Sequence, residues 1–516
     1  MLLKPILAIL FIFLLNTAFA SPWVEPDDLA LRSDIQLLAD VGVITAPVTT
    51  YPLMWNAIKN DILSANTSLL NDAQLQALSH VRYSFKYASG NQNITKKSIY
   101  LASSPNRFTS YGNDNFDKGN IELSDEFFVG NLAGKLQLNY RIGLDDNPAL
   151  IHESDTNIDG SYLAYKLGNW VLSAGAIDRW WGPGIDTNLI MTTNSRSLPA
   201  MSITRDNSDA FETPWLSWIG PWTLTAQMAK LEEERTIADA LMWSTRATIR
   251  PFRGLELGAS WSIQWAGEGQ PGSMKDFFKI LSGGTECVNG EVTCDPQLYT
   301  KLGNQVAGYD IRWSDTVMGL PYALYFQTIG EDGSPNGLVS DKADMYGIES
   351  RFTLFNQHVL ANLEYTNTQV ACDNNGGTSL NCFYEHVDIY HSGYRYYRRT
   401  IGSTYDNDAQ TLVATFLIQT TAGNSWQLKF RKADLNTDNI DLYPDDLNLG
   451  NPVSKIAEDV LQFDGQYKFI ALDSRFTLGM IVTNAKFDNN ANALSDDSNY
   501  EDGTELDAYI KWEYRF

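Results

Sequence analysis

Two stretches of the chain set aromatic rings, guanidinium groups and carboxylates side by side. The first is Asp178-Arg179-Trp180-Trp181-Gly182-Pro183-Gly184. The second is Tyr394-Arg395-Tyr396-Tyr397-Arg398-Arg399, leading to Ile401-Gly402 and Asp406-Asn407-Asp408. That mixture suits a sugar polymer. A pyranose has an apolar C–H face that can lie on an aromatic ring, and its hydroxyls need planar donors and acceptors. Arginine also pairs bidentately with uronate or pyruvyl carboxylates. Asp178, Arg179, Trp180, Trp181, Arg395, Tyr396, Tyr397 and Arg399 are therefore the candidate polysaccharide contacts. The competing reading is that Trp180 and Trp181 fill a barrel lumen or sit in its interfacial girdle, with Arg179 bonded to a barrel carboxylate.

Other chemistry is poorly supported. There is no G-x-S-x-G elbow and no H-E-x-x-H pair. His386 and His391 lie near Glu385 and Asp388, but their odd spacing puts them on opposite faces of a strand. Asp434-Leu-Asn436-Thr-Asp438 begins like a calcium loop. Its sixth position is Asn439 where Gly is needed, and its twelfth is Asp445 where Glu is needed. No catalytic residue, metal or cofactor is expected. The 516 residues carry 38 Lys+Arg against 62 Asp+Glu, a net charge of -24. That balance argues against a nucleic-acid partner, which calls for a basic footprint.

The elements that must position these stretches change character along the chain. Lys4, the apolar run Pro5 to Leu15 and Ala18-Phe19-Ala20 read as a signal peptide over residues 1–20, with a mature start at Ser21. Export implies an oxidising compartment, so Cys287 with Cys294 and Cys372 with Cys382 are expected as two local loop disulfides. Residues 21–90 read as three short helices: one over roughly Asp27 to Val41, one opened by Pro52, and one capped by Asn71. Such a bundle is marginal alone and should pack on the rest of the chain.

From about residue 91 the hydrophobic period becomes two. In Lys135 to Ile142 the even positions are apolar and the odd ones polar. Leu255, Leu257, Ala259, Trp261, Ile263 and Trp265 oppose Glu256, Gly258, Ser260, Ser262 and Gln264. Alternation alone also fits a half-exposed soluble sheet. Strands of about ten residues with bulky faces and aromatic ends favour a transmembrane β-barrel over residues 91–516. A repeat of about 23 to 24 residues gives about 18 antiparallel strands. The chain ends on an alternating strand, with Leu506, Ala508, Ile510, Trp512, Tyr514 and Phe516 on one face. Trp512, Tyr514 and Phe516 are expected to act as an assembly signal, which makes the barrel-assembly machinery and outer-membrane lipid partners.

The mature start Pro22-Trp23-Val24-Glu25-Pro26, with Leu29 to Arg32 and Asp34 to Asp40, resembles the capsule assembly Wzi family. So do Asp178 to Gly184, Asn194 to Pro199, Gly220-Pro221-Trp222, and Arg246 to Gly258 with Arg250-Pro251-Phe252 and Gly254-Leu255-Glu256. The resemblance implies an outer-membrane lectin, not an enzyme. Its barrel would have 18 strands, a small helical bundle on the periplasmic side, and surface loops that largely close the lumen. It would hold secreted capsular polysaccharide or exopolysaccharide at the cell surface and help assemble the capsule layer. The alternative is an outer-membrane porin or sugar-transport channel, which a barrel of this size permits.

Overall fold

The fold is known from a computed structural model that describes residues 21–90, 94–144, 154–281, 303–331, 342–371, 379–386, 389–421, 423–443, 446, 449–488 and 500–515. Eighteen antiparallel strands close into a barrel. They are β1 (Ile94–Ala102), β2 (Gly119–Val129), β3 (Leu132–Ile142), β4 (Ser154–Asn157 and Tyr162–Leu167), β5 (Trp170–Ala176) and β6 (Pro199–Arg205). Next come β7 (Trp222–Lys230), β8 (Leu241–Phe252), β9 (Leu255–Trp265), β10 (Gly303–Val317), β11 (Leu320–Gly330) and β12 (Lys342–Leu354). The circuit ends with β13 (Gln357–Asn367), β14 (Ala409–Gln419), β15 (Ser425–Leu435), β16 (Glu458–Ala471), β17 (Ser474–Phe487) and β18 (Gly503–Arg515). β18 closes the barrel on β1, with Ile510 opposite Leu101. β4 is broken, and both of its pieces pair with β3.

The direction of the alternation decides between a soluble and a membrane sheet. In β3, Leu136, Leu138 and Tyr140 are exposed, while Asn139 and Arg141 are buried. In β9, Glu256, Ser260, Ser262 and Gln264 are buried. Charged and amide side chains line the inside and the large apolar ones face out. This inverts a soluble sheet and suits a lipid exterior. Two aromatic belts bound the apolar band. One runs through Trp426, Tyr467, Phe469 and Phe476, with centroids 4.3–5.5 Å apart, and the other through Tyr309, Phe326, Tyr346 and Tyr365. Such girdles mark the two lipid–water boundaries.

One end of the barrel has tight hairpins and carries the helices α1 (Leu29–Asp40), α2 (Trp55–Ser64) and α3 (Asp72–Ala88). Asp28 caps α1 by accepting from the Ala30 N–H at 2.9 Å. Asn71 and Gln74 cap α3 reciprocally, at 3.0 and 3.1 Å. Ile35, Leu38, Ile58, Ile62, Leu78 and Val81 form the shared core. The second helix starts at Trp55, later than Pro52 suggests. Leu53–Met54 are instead taken up in a two-residue ladder with Trp23–Val24.

Inward arginines bind this bundle to the barrel. Arg250 donates to the carbonyl of Ala39 in the last turn of α1 and to those of Ile44 and Ala46 beyond it, at 2.6–3.2 Å. Arg312 forks onto Asp40 at 2.6 and 2.9 Å. A fourth helix, α4 (Met274–Leu281), lies outside the barrel. It sets Phe277 and Ile280 on Ile263 and Trp265, which buries two otherwise lipid-facing side chains. In β18 the Trp512 and Tyr514 rings are parallel at 6.4 Å. Phe516 lies outside the described residues, as do Cys287, Cys294, Cys372 and residues 1–20, where a signal peptide is expected. Cys382 is part-buried and is not a free thiol.

Candidate functional site

The lumen is filled by the chain itself. From the helical end, Val48 to Tyr51 reach inward. Glu256 accepts the Val48 and Thr49 N–H groups at 3.0 and 2.8 Å, and Arg246 donates to Thr50 at 2.8 Å while paired with Asp310 at 2.6 Å. From the other end the connection between β5 and β6 descends. Its Trp180–Trp181 pair antiparallel with Tyr51 and Thr50. The turn after them runs Gly182-Pro183-Gly184. A Cβ on Gly182 would meet Asn188 Oδ1 at 2.2 Å, and one on Gly184 would meet the Thr187 carbonyl at 1.9 Å. Only glycine fits either position. Arg32 of α1 donates to the carbonyls of Pro183 and Gly184 at 2.7 and 2.8 Å.

Wall residues then fix the rest of the connection. Glu364 of β13 accepts the Ile185 and Thr187 N–H groups at 2.9 and 3.0 Å, and Gln327 accepts from Leu189 at 2.7 Å. Asp186 lies between Arg431 at 2.7 Å and Lys429 at 3.4 Å, and also accepts from the Tyr405 hydroxyl. Burial alone would push the Asp186 carboxyl up. The two cations outweigh it and hold it below the ordinary carboxylate range.

A second segment, residues 383–386 and 389–408, folds over the first. The Tyr384 hydroxyl donates to the Leu189 carbonyl, and the Tyr394 hydroxyl to that of Ile190 at 2.9 Å. Arg395 donates to Asp406 at 2.8 Å and Glu385 at 2.5 Å, with all three buried. Burial dominates at Glu385 and leaves its carboxyl above the usual range despite Arg395.

The structure therefore brings the two aromatic–arginine stretches into one lumen filling, and most of their side chains are spent on it. Trp180 and Trp181 are 1% and 0% exposed. The Trp180 indole donates to the Gly184 carbonyl at 2.9 Å and meets Tyr111 edge-on at 5.3 Å. Arg179 donates to the Ile177 carbonyl at 2.8 Å and to Ser202 at 3.2 Å, and burial lowers it to about 10. It bonds a carbonyl and a hydroxyl, not a barrel carboxylate. Arg395 and Tyr396 are buried. These five, expected from the sequence as polymer contacts, are enclosed in the lumen filling, and Arg399 is buried as well at 7% exposed. Asp178 is half-buried and accepts from the Ser197 hydroxyl. Tyr397 is half-buried under the Arg196 guanidinium at 4.3 Å, and Arg399 lines the mouth opposite the helices.

Asp178 gives a pH prediction. Burial, reinforced by Asp114, pushes its carboxyl up to about 7. The folded chain thus keeps a proton that an unfolded Asp releases near about 4. The associated stability is complete below that lower value and is lost as pH rises to about 7. Asp178→Asn should match the wild type at pH 4 and exceed it at pH 8 by about 2 kcal/mol, after discounting for partial exposure. Thermal unfolding at both pH values checks this, and an equal offset at each would refute it.

The model of the family described as capsule assembly protein Wzi matches residues 90–499. The chain belongs to the Wzi capsule assembly family. It is 29% identical over 326 residues to an "uncharacterized 55.8 kDa protein in cps region" of Klebsiella pneumoniae, a match covering 61% of this chain. The match spans 60% of the length of that curated relative. Among solved structures, the chain is similar to Wzi of Escherichia coli, described as an outer-membrane protein involved in group 1 capsule assembly and a carbohydrate-binding β-barrel. That likeness has a TM-score of 0.79 at 23% identity, over 96% of this chain and 100% of the other.

In this Wzi-family chain, sequence reasoning missed the residues that seat the lumen filling: Asp186, Gln327, Glu364, Lys429 and Arg431. A signal for the last two was present. Lys429 and Arg431 alternate with Leu428, Phe430 and Lys432, so they point inward and each needs a buried partner. Arg246, Arg250 and Glu256, which belong to the resemblance motifs, hold the N-terminal segment.

Proposed function

We propose that this protein is an outer-membrane lectin that attaches secreted capsular polysaccharide or exopolysaccharide to the cell surface and helps assemble the capsule layer, without chemistry on the polymer. The observation that carries this reading is a barrel with a lipid-facing exterior whose lumen is crossed by its own ion-paired chain. Such a molecule is poorly suited to passage, which counts against the porin reading, and offers function mainly at its mouth. Family membership and the fold shared with Wzi of Escherichia coli support it.

In this reading the end with short hairpins and helices faces the periplasm and the long connections face outward, following the usual asymmetry of such barrels. The mature chain begins at Ser21. Cys372 with Cys382, and Cys287 with Cys294, close two surface loops. Weak contacts repeated along one polymer supply the avidity.

The test compares a deletion strain with its parent, measuring polysaccharide in cell-bound and medium fractions. The total should stay constant while most cell-bound polymer moves into the medium. An unchanged distribution would rule the lectin out and make conductance the next measurement.

A further inference from the structure

A cavity of about 440 Å³ lies where the helical segment meets the barrel. Ser21 and Trp23 line it from the N-terminal segment, Glu126 from β2 and Lys135 from β3. The chain next to Ser21 is pinned. Trp23 is buried and paired with Met54, and its ring lies 4.6 Å from that of Tyr162 in β4. The Tyr162 hydroxyl donates to the Glu126 carboxylate. The Ser21 hydroxyl donates to the Trp23 carbonyl at 2.9 Å and lies beside both Glu126 and the Tyr162 hydroxyl. The main-chain nitrogen of Ser21 therefore sits in the same corner.

Charge does not balance there. Glu126 is buried, and Glu25 acts on it as a second negative charge. Lys135 lies 2.8 Å from Glu25 and also acts on Glu126. The other lysine and arginines that line the cavity have carboxylates of their own. Lys96 lies 3.0 Å from Glu122, Arg475 3.2 Å from Asp28, and Arg515 2.8 Å from Glu513 and 3.2 Å from Asp27. On α3, His80 is bonded to Asp34 at 2.6 Å. Among the described residues, two carboxylates thus share one lysine. A buried carboxylate without a cation of its own is costly, and a positive charge placed beside it removes that cost.

We infer that this corner is a binding site for the α-ammonium group of Ser21, which forms when the chain is cut after Ala20, with Glu126 as its principal partner and Glu25 as its second. In the uncut chain this nitrogen is a neutral amide. Hydrolysis breaks the C–N bond between Ala20 and Ser21. Water adds its hydroxyl to the Ala20 carbonyl carbon and a proton to the nitrogen, and at neutral pH the new carboxyl gives up a proton as the new amine takes one. The positive charge then appears where two carboxylates share one lysine, and its hydrogen bonds to them are charge-assisted. The processed chain fits the barrel better than its precursor, so removal of the leader favours seating of the helical segment. The inference rests on a mature start at Ser21 and is independent of what the surface loops bind.

The test uses the full-length mature barrel, purified in detergent. N-terminal sequencing reports where it starts. The α-amine is then acetylated with limiting acetic anhydride across a range of pH, and the N-terminal peptide is read by mass spectrometry. An unperturbed α-amine titrates at about 8. Chain unfolded in guanidinium should show that midpoint. The folded wild type should show one at least about one unit higher, because a neighbouring carboxylate favours the charged form. Glu126→Gln should bring the folded midpoint back toward that of the unfolded chain. The comparison of folded with unfolded wild type needs no variant, and equal midpoints overturn the site. A midpoint that stays high in folded Glu126→Gln overturns the assignment to Glu126. A chain that starts at another residue overturns the mature start and this site together, whereas a Ser21 start with an unshifted amine overturns the site alone.

Discussion

Asp186→Ala should open the barrel. The carboxylate is buried between Lys429 and Arg431, and it ties the β5–β6 connection to β15. Removing it takes the nearest carboxylate from two buried cations and leaves only the more distant Asp464 to offset them, at a cost of about 3–5 kcal/mol. Because the connection lies across the lumen, the loss should appear as permeability as well as lower stability. The wild type should show little conductance in planar bilayers, and the variant should show frequent openings and a lower melting temperature. Asp186→Glu should restore part of both. A variant that melts early yet stays as tight as the wild type would show that this ion pair does not hold the seal.

The second large effect concerns Trp180→Ala. A surface contact would give weaker polymer retention with normal folding, whereas the structure predicts the reverse order of events. The indole is enclosed, bonded to the Gly184 carbonyl and packed on Tyr111 and Tyr51 through a shared cluster. Truncating it costs about 3–5 kcal/mol through the cavity left behind. The temperature at which the folded band is lost on semi-native gels should drop clearly. Cell-bound polymer should then fall only in proportion to the amount of assembled barrel. A several-fold loss of polymer from a barrel of normal abundance and melting would reinstate Trp180 as a contact.

The barrel was legible because period-two alternation persists over whole strands, and length divided by repeat gives the strand number. Which face meets lipid was not legible from alternation alone; it rests on Leu136 and Leu138 being exposed while Asn139 and Arg141 are buried. The break in β4 at Ile158–Ser161 and helix α4 escaped because each is shorter than a reliable periodic window. The candidate site was legible as composition and not as geometry. Rings and guanidinium groups that stack and bond to seal a lumen are the same groups that would hold a sugar, so Trp180 and Arg395 look alike in both roles.

The pairing of Leu101 with Ile510, and the contact of Arg515 with Asp27 at 3.2 Å, join opposite ends of the polypeptide. Contacts of such long sequence separation form late and slowly. During biogenesis the free edge of β1 must therefore wait for the last strand to be delivered, with its N–H and C=O groups exposed as a template for the wrong partner. A nascent copy that ends before residue 503 is not a smaller barrel but an open sheet with two adhesive margins, β1 and β17. Both margins must stay occupied or shielded until the final thirteen-residue strand arrives.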